Sequence, residues 1–191
     1  MNKGELLGEG TPKKMIDLYK QVLVGQYEIP EKKENEEFFE DHSNPEALEY
    51  GTKQAVIEEF YIRDEAGTKT TAIIKGSTYT LYMKVRIMDH IKAPIFAMSV
   101  KDVHGTEITG TNTMIEKAFL ESVEKGQVKE ISFTQKMMLQ GGEYLISMGV
   151  TGYDGDKFEV YHRLYDALNI TVVSDKNTVG FYDMDSQVVV K

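Results

Sequence analysis

A chain of 191 residues with 41% apolar and 28% charged side chains is long enough to bury a full core as one domain plus an appendage, and has the make-up of a soluble globular protein. No run approaches the roughly 18 apolar residues of a membrane-spanning helix, and the absence of cysteine excludes a disulfide framework. A formal charge of −9 repels phosphate backbones and anionic lipid, which argues against nucleic acid as a partner.

The first 26 residues read as the end of another unit. Lys3 to Gly10 forms a hairpin-like opening, and Thr11-Pro12 starts a helix, since a Thr oxygen accepts an orphan N–H and Pro at the first helical position sacrifices none. Met15, Ile16, Tyr19, Val22 and Leu23 recur at helical spacing over about residues 12–24, and Gly25 can end the helix. A helix this short needs a body to pack against. Residues 27–50 then carry nine acidic side chains against Lys32 and Lys33, a net of −7, with Pro30 and Pro45 opposing continuous helix. The segment is expected to be a solvated, extended acidic linker. The N-terminus lacks the order of a signal peptide, so a cytoplasmic setting is expected.

From Gly51 onward the pattern is short strands between turns. Ala55 to Arg63 alternates, Asp64-Glu65-Ala66-Gly67 turns the chain, and Thr70 to Ile74 is a second strand. After Gly76, Tyr79, Leu81, Met83, Val85 and Ile87 fall on one side and Thr78, Thr80, Tyr82, Lys84 and Arg86 on the other, giving a strand with one core face and one wet face. Ile95 to Val100 is apolar on both faces, and Asp102-Val103-His104-Gly105 reverses it into Glu107 to Thr109. Residues 114–125 read as loop with a helical turn. Val128 to Gln135, Glu143 to Val150, Ala167 to Val173 and the terminal 186–191 complete the set. About eight antiparallel strands without intervening helices predict an all-β fold, a sandwich of immunoglobulin-like or jelly-roll type over residues 51–191.

Catalytic and metal motifs are sparse. No phosphate-binding Gly-x-x-x-x-Gly-Lys loop occurs, so the chain has no means of its own to cradle a nucleotide. His104 with Glu107, and Asp154 with Asp156, read as polar turns, because neither supplies enough donors for a metal. The wet face through Tyr82, Lys84 and Arg86 suggests a sugar platform, with Tyr82 stacking on a C–H face and the two cations donating to hydroxyls. Ser147, Thr134 and Gln135 extend it if their strands are neighbours. The alternative is an ordinary solvated strand face with Tyr82 covered by a loop.

Residues 94–113, PIFAMSVKDVHGTEITGTNT, together with Gly142 to Ser147 and the Gly67 and Gly76 features before them, resemble the C-terminal domain of the ATP-binding subunits of polysaccharide ABC exporters of the Wzt type. Gly4-Glu5 through Gly10-Thr11-Pro12 and Tyr19 is similar to the end of an ABC ATPase domain. The resemblance implies a non-catalytic, immunoglobulin-like sandwich that recognises the exported O-antigen or similar glycan. It also implies a homodimer exchanging the last strand, 186–191, and association with the transporter's membrane subunit at the inner face of the cell membrane. ATP and Mg would then serve an ATPase domain upstream of Met1, with no cofactor in this chain. A scaffold domain without sugar binding and a jelly-roll carbohydrate-active enzyme remain as alternatives.

Overall fold

The computed structural model describes Met15, Asn44 and residues 47–191. The helix expected over 12–24, the ATPase tail and most of the acidic linker lie, apart from Met15, outside the described residues.

Eleven strands run through the described chain: β1 (Leu48–Tyr50), β2 (Ala55–Arg63), β3 (Ala72–Ile74), β4 (Thr78–Ile87), β5 (Ile91–Lys92), β6 (Ile95–Asp102), β7 (Glu107–Asn112), β8 (Ser122–Val123), β9 (Val128–Lys136), β10 (Gly142–Asp154) and β11 (Lys157–Val173). One sheet has the order β1-β11-β10-β6-β7, with β3 added parallel to β11, and the other has the order β2-β4-β9. β5 and β8 form a small separate ribbon. The expected all-β sandwich is what forms.

The alternating strands supply the core directly. Leu81, Met83 and Val85 of β4 pack into one cluster with Met98 and Val100 of β6 and with Ile146, Met148 and Val150 of β10, all but closed to solvent. The turns are built as their side chains dictate: Asp102 Oδ1 accepts from His104 N (2.9 Å) and Thr106 N (2.7 Å), and Asp64 Oδ1 from Ala66 N (3.0 Å) and Thr68 N (2.8 Å).

Three expectations are corrected. The sheet begins before residue 51, because Leu48 to Tyr50 pair with Tyr165 to Arg163, and Gly51 lies so close to β11 that an added Cβ would meet Tyr161 O at 2.6 Å. The strand expected over Ala167 to Val173 is the last part of a 17-residue strand, whose earlier half is hidden by a bulge that breaks the alternation opposite Ile146 and Met148. Residues 186–191 are not a paired strand in the single chain, since no strand among the described residues runs beside them.

Where β1 enters the sheet it is tied to both layers. His162 is buried and accepts a hydrogen bond at Nδ1 from Ile57 N of β2 (2.8 Å), which leaves Nε2–H to donate to Glu49 Oε1 (2.7 Å). Burial holds the imidazole below its ordinary pKa of 6.5, partly offset by Glu49, while the hydrogen bond from His162, opposed by the partial burial of the carboxylate and helped by Lys53, holds Glu49 down to about 2. A His whose folded pKa is depressed adds stability above its unfolded pKa and loses it as pH falls from that value to the lower folded one. Urea midpoints are therefore expected to drop between pH 7.5 and 5, and to drop less in His162→Gln; equal slopes would show that His162 does not titrate with unfolding.

Candidate functional site

The outward face of the three-stranded sheet gathers polar and aromatic side chains because the register aligns them. Tyr61 of β2, Tyr82 of β4 and Ser132 of β9 lie in one cross-strand row; Arg63, Thr80 and Thr134 form the next row, and Glu59, Lys84 and Glu130 the one on the other side. With Leu81, Met83 and Val85 committed to the core, this face must look away from it.

Tyr61 and Tyr82 stack, with ring centroids 4.7 Å apart and planes at 24°. The Lys69 ammonium sits 3.8 Å from the Tyr61 ring centre, and the Arg63 guanidinium lies 4.9 Å from Tyr61 and 5.5 Å from Tyr82. Arg63 also donates to the Tyr61 hydroxyl. Tyr82 is only 9% exposed, and burial, then the Glu130 carboxylate, pushes its hydroxyl pKa up. Tyr61 and Arg63 of the same sheet lie against its ring.

The sequence-predicted residues fare differently. Tyr82, Lys84 and Arg86 share this face as the alternation predicts. Arg86 is engaged by Glu58, with Nη2 donating to Oε2 at 3.1 Å, so it braces β2 against β4. Thr134 extends the face, its hydroxyl 2.8 Å from that of Thr80. Gln135 points to the opposite side, donating to the Tyr79 hydroxyl and lying 3.9 Å from Met98 Sδ.

Ser147 does not belong to this surface. It is 0% exposed, lies in the other sheet opposite Ser99, and its Oγ accepts from Asp166 N (2.9 Å) and stands 3.4 Å from Asp166 Oδ1. The reason is phase: Ile146 and Met148 face the core, so Ser147 faces away on the far side of the sandwich.

Tyr61, Arg63 and Lys69 are the members that strand phase alone missed. A register shift between Ile57 and Glu59 flips β2, so that Ile57 and Ile62 both face the core although one is odd-numbered and the other even. The signal available in the sequence is the Tyr-x-Arg of Tyr61 and Arg63 leading into a turn that brings Lys69 back, since Lys69 bridges to Arg63 across it.

Beside this face, between β9 and residues 111–120, lies an open groove of about 570 Å³ floored by Phe96 and Phe133 and walled by Thr111, Thr113, Leu120 and Ile131. Among the described residues no group of three or more His, Cys, Asp or Glu side chains is placed to hold a metal, and no helix is long and apolar enough to cross a membrane.

The family model of the Wzt C-terminal domain matches residues 46–184. The chain belongs to the Wzt C-terminal domain family. Its fold agrees with a crystal structure of the C-terminal domain of wzt at a TM-score of 0.73 and 22% identity, covering 80% of this chain and 93% of that one. The CARDB domain of PF1109 from Pyrococcus furiosus (TM-score 0.33, 12% identity, 60% of this chain and 94% of that one) is far more distant. So is a β-glucosidase from Listeria innocua in complex with glucose (TM-score 0.33, 10% identity, 60% and 16%). Neither bears on function. Among curated proteins none matches. As a Wzt C-terminal domain the chain is a non-catalytic part of a transporter ATPase, and the family match opens at residue 46, close to where β1 joins the sheet.

Proposed function

We propose that the chain recognises the polysaccharide exported by a Wzt-type ABC transporter, O-antigen or a similar cell-surface glycan, and does so without chemistry of its own. The observation that carries this is the Tyr61–Tyr82 stack, rimmed by Lys69, Arg63, Lys84, Glu59 and Glu130 on a rigid sheet. Sugars present C–H faces to aromatic rings and hydroxyls to charged groups, and a rigid strand platform holds both at fixed spacing. Lys69, 59% exposed at its side chain, is the lid a sugar ring displaces to reach Tyr61, and its ammonium remains at hand for a hydroxyl.

The reading includes a homodimer that exchanges residues 186–191, association with the transporter's membrane subunit at the inner face of the cell membrane, and ATP and Mg bound in the ATPase domain rather than here. Calorimetric titration of the chain with the cognate polysaccharide tests the recognition step: saturable binding is expected, and a flat response across the native glycan overturns it.

A further inference from the structure

Two cations converge on the stacked tyrosines, and among the described residues only one of them meets a carboxylate. The turn after β2 folds Lys69 back beside Arg63, with Asp64 N donating to Thr68 O (3.0 Å) and Thr70 N to Ile62 O (3.0 Å). Both side chains then lie against the Tyr61 ring. Like charges held this close repel, and an anion between or beside them offsets the repulsion. Glu59 does so for Lys69, its Oε1 3.4 Å from the ammonium. Arg63 has no such neighbour: among the described residues no carboxylate stands within ion-pair distance of its guanidinium. Asp64, next in sequence, commits Oδ1 to the N–H groups of Ala66 and Thr68.

The Arg63 guanidinium is nonetheless fixed in place. It packs 4.9 Å from the Tyr61 ring centre and 5.5 Å from that of Tyr82, and it donates to the Tyr61 hydroxyl. A guanidinium has five N–H donors in one plane, and those left over match the paired oxygens of a carboxylate or phosphate. The same row of the sheet continues into Thr80 and Thr134, whose hydroxyls, 2.8 Å apart, offer further hydrogen bonds to an oxyanion. With Lys84, Arg86 and Lys136 added, the face sets five cations against the carboxylates of Glu58, Glu59 and Glu130. That is a local excess of positive charge on a chain of net charge −9, and it favours the approach of an anion to this one surface.

We propose that the polysaccharide taken by this face carries an oxyanion, the carboxylate of an acidic sugar or a phosphate substituent, and that Arg63 receives it with Lys69 beside it. This rests on the sugar reading above and adds the charge of the ligand and the residue that meets it.

The full chain, Arg63→Gln and Arg63→Lys are titrated calorimetrically with the cell-surface polysaccharide purified from the source organism, at about 50 and about 500 mM NaCl, between which the screening length falls roughly threefold. The parent chain is expected to bind about five- to tenfold more weakly at the higher salt. Arg63→Gln should bind about tenfold more weakly than the parent at low salt and lose most of the salt dependence, while Arg63→Lys keeps part of both. Two treatments of the polysaccharide separate the sources of the oxyanion: reduction of its carboxylates to alcohols, and removal of its phosphate with hydrofluoric acid. The treatment that strips the recognised group should bring the parent down to the level of Arg63→Gln and leave that variant unmoved. Parent binding that ignores salt and both treatments overturns the oxyanion and leaves the sugar reading standing with a neutral glycan. A salt dependence that Arg63→Gln retains in full overturns Arg63 as the receiving residue. A flat titration of the parent at both salts removes the sugar reading and this inference with it.

Discussion

Replacing Asp166 with Ala is expected to cost about 3–5 kcal/mol of folding stability, the range for removing one partner of a buried ion pair. Asp166 Oδ1 stands 2.8 Å from Lys101 Nζ, and the two side chains are 5% and 2% exposed. Both lie on the far side of the sheet from the main core, where Lys101 follows Val100 in phase and Asp166 is thrust out by the bulge in β11 at φ of 54°. The left-handed position compounds the loss, since Asp tolerates that conformation better than Ala. Removing the carboxylate leaves an ammonium in a desolvated place, whereas replacing both charges removes the need for it. The double variant Lys101→Met/Asp166→Ala should recover most of the stability. Urea midpoints at pH 7 decide the matter: a shift worth under about 1 kcal/mol in Asp166→Ala would class the pair with surface ion pairs.

Tyr61→Ala is expected to weaken polysaccharide binding about ten- to thirtyfold, the size of an aromatic anchor worth about 1.4–2 kcal/mol. Tyr61 is partly exposed and its truncation leaves the core intact, so its circular dichroism and urea midpoint should stay close to those of the parent chain. Arg86→Ala supplies the contrast. Its guanidinium is committed to Glu58, so binding should change little, and equal losses in the two variants would place the glycan away from the stacked tyrosines.

These two sites differ in how far they could be read beforehand. The alternation of β4, unbroken from Thr78 to Ile87, places Tyr82, Lys84 and Arg86 on one outward face. Asp166 and Ser147 are opaque because their meeting depends on a bulge, where Ser147 alone of β10 stands opposite Tyr165, Asp166 and Ala167 of β11 and side-chain direction no longer follows residue number. Tyr61 fell on the wrong side of a strict alternation for the same reason, the register shift after Ile57.

The amino-acid order alone determined the all-strand character of the body, most strand and turn positions, and the family, because alternation, Asp and Gly at reversals, and local motifs are all set within a few residues of one another. Only the folded chain decided which outward faces lie together, that Ser147 is closed inside the opposite sheet, and that the terminal valines are exposed. Those outcomes depend on strand order and on single-residue bulges, where the free energy comes from contacts between residues far apart in the chain and no local pattern records it.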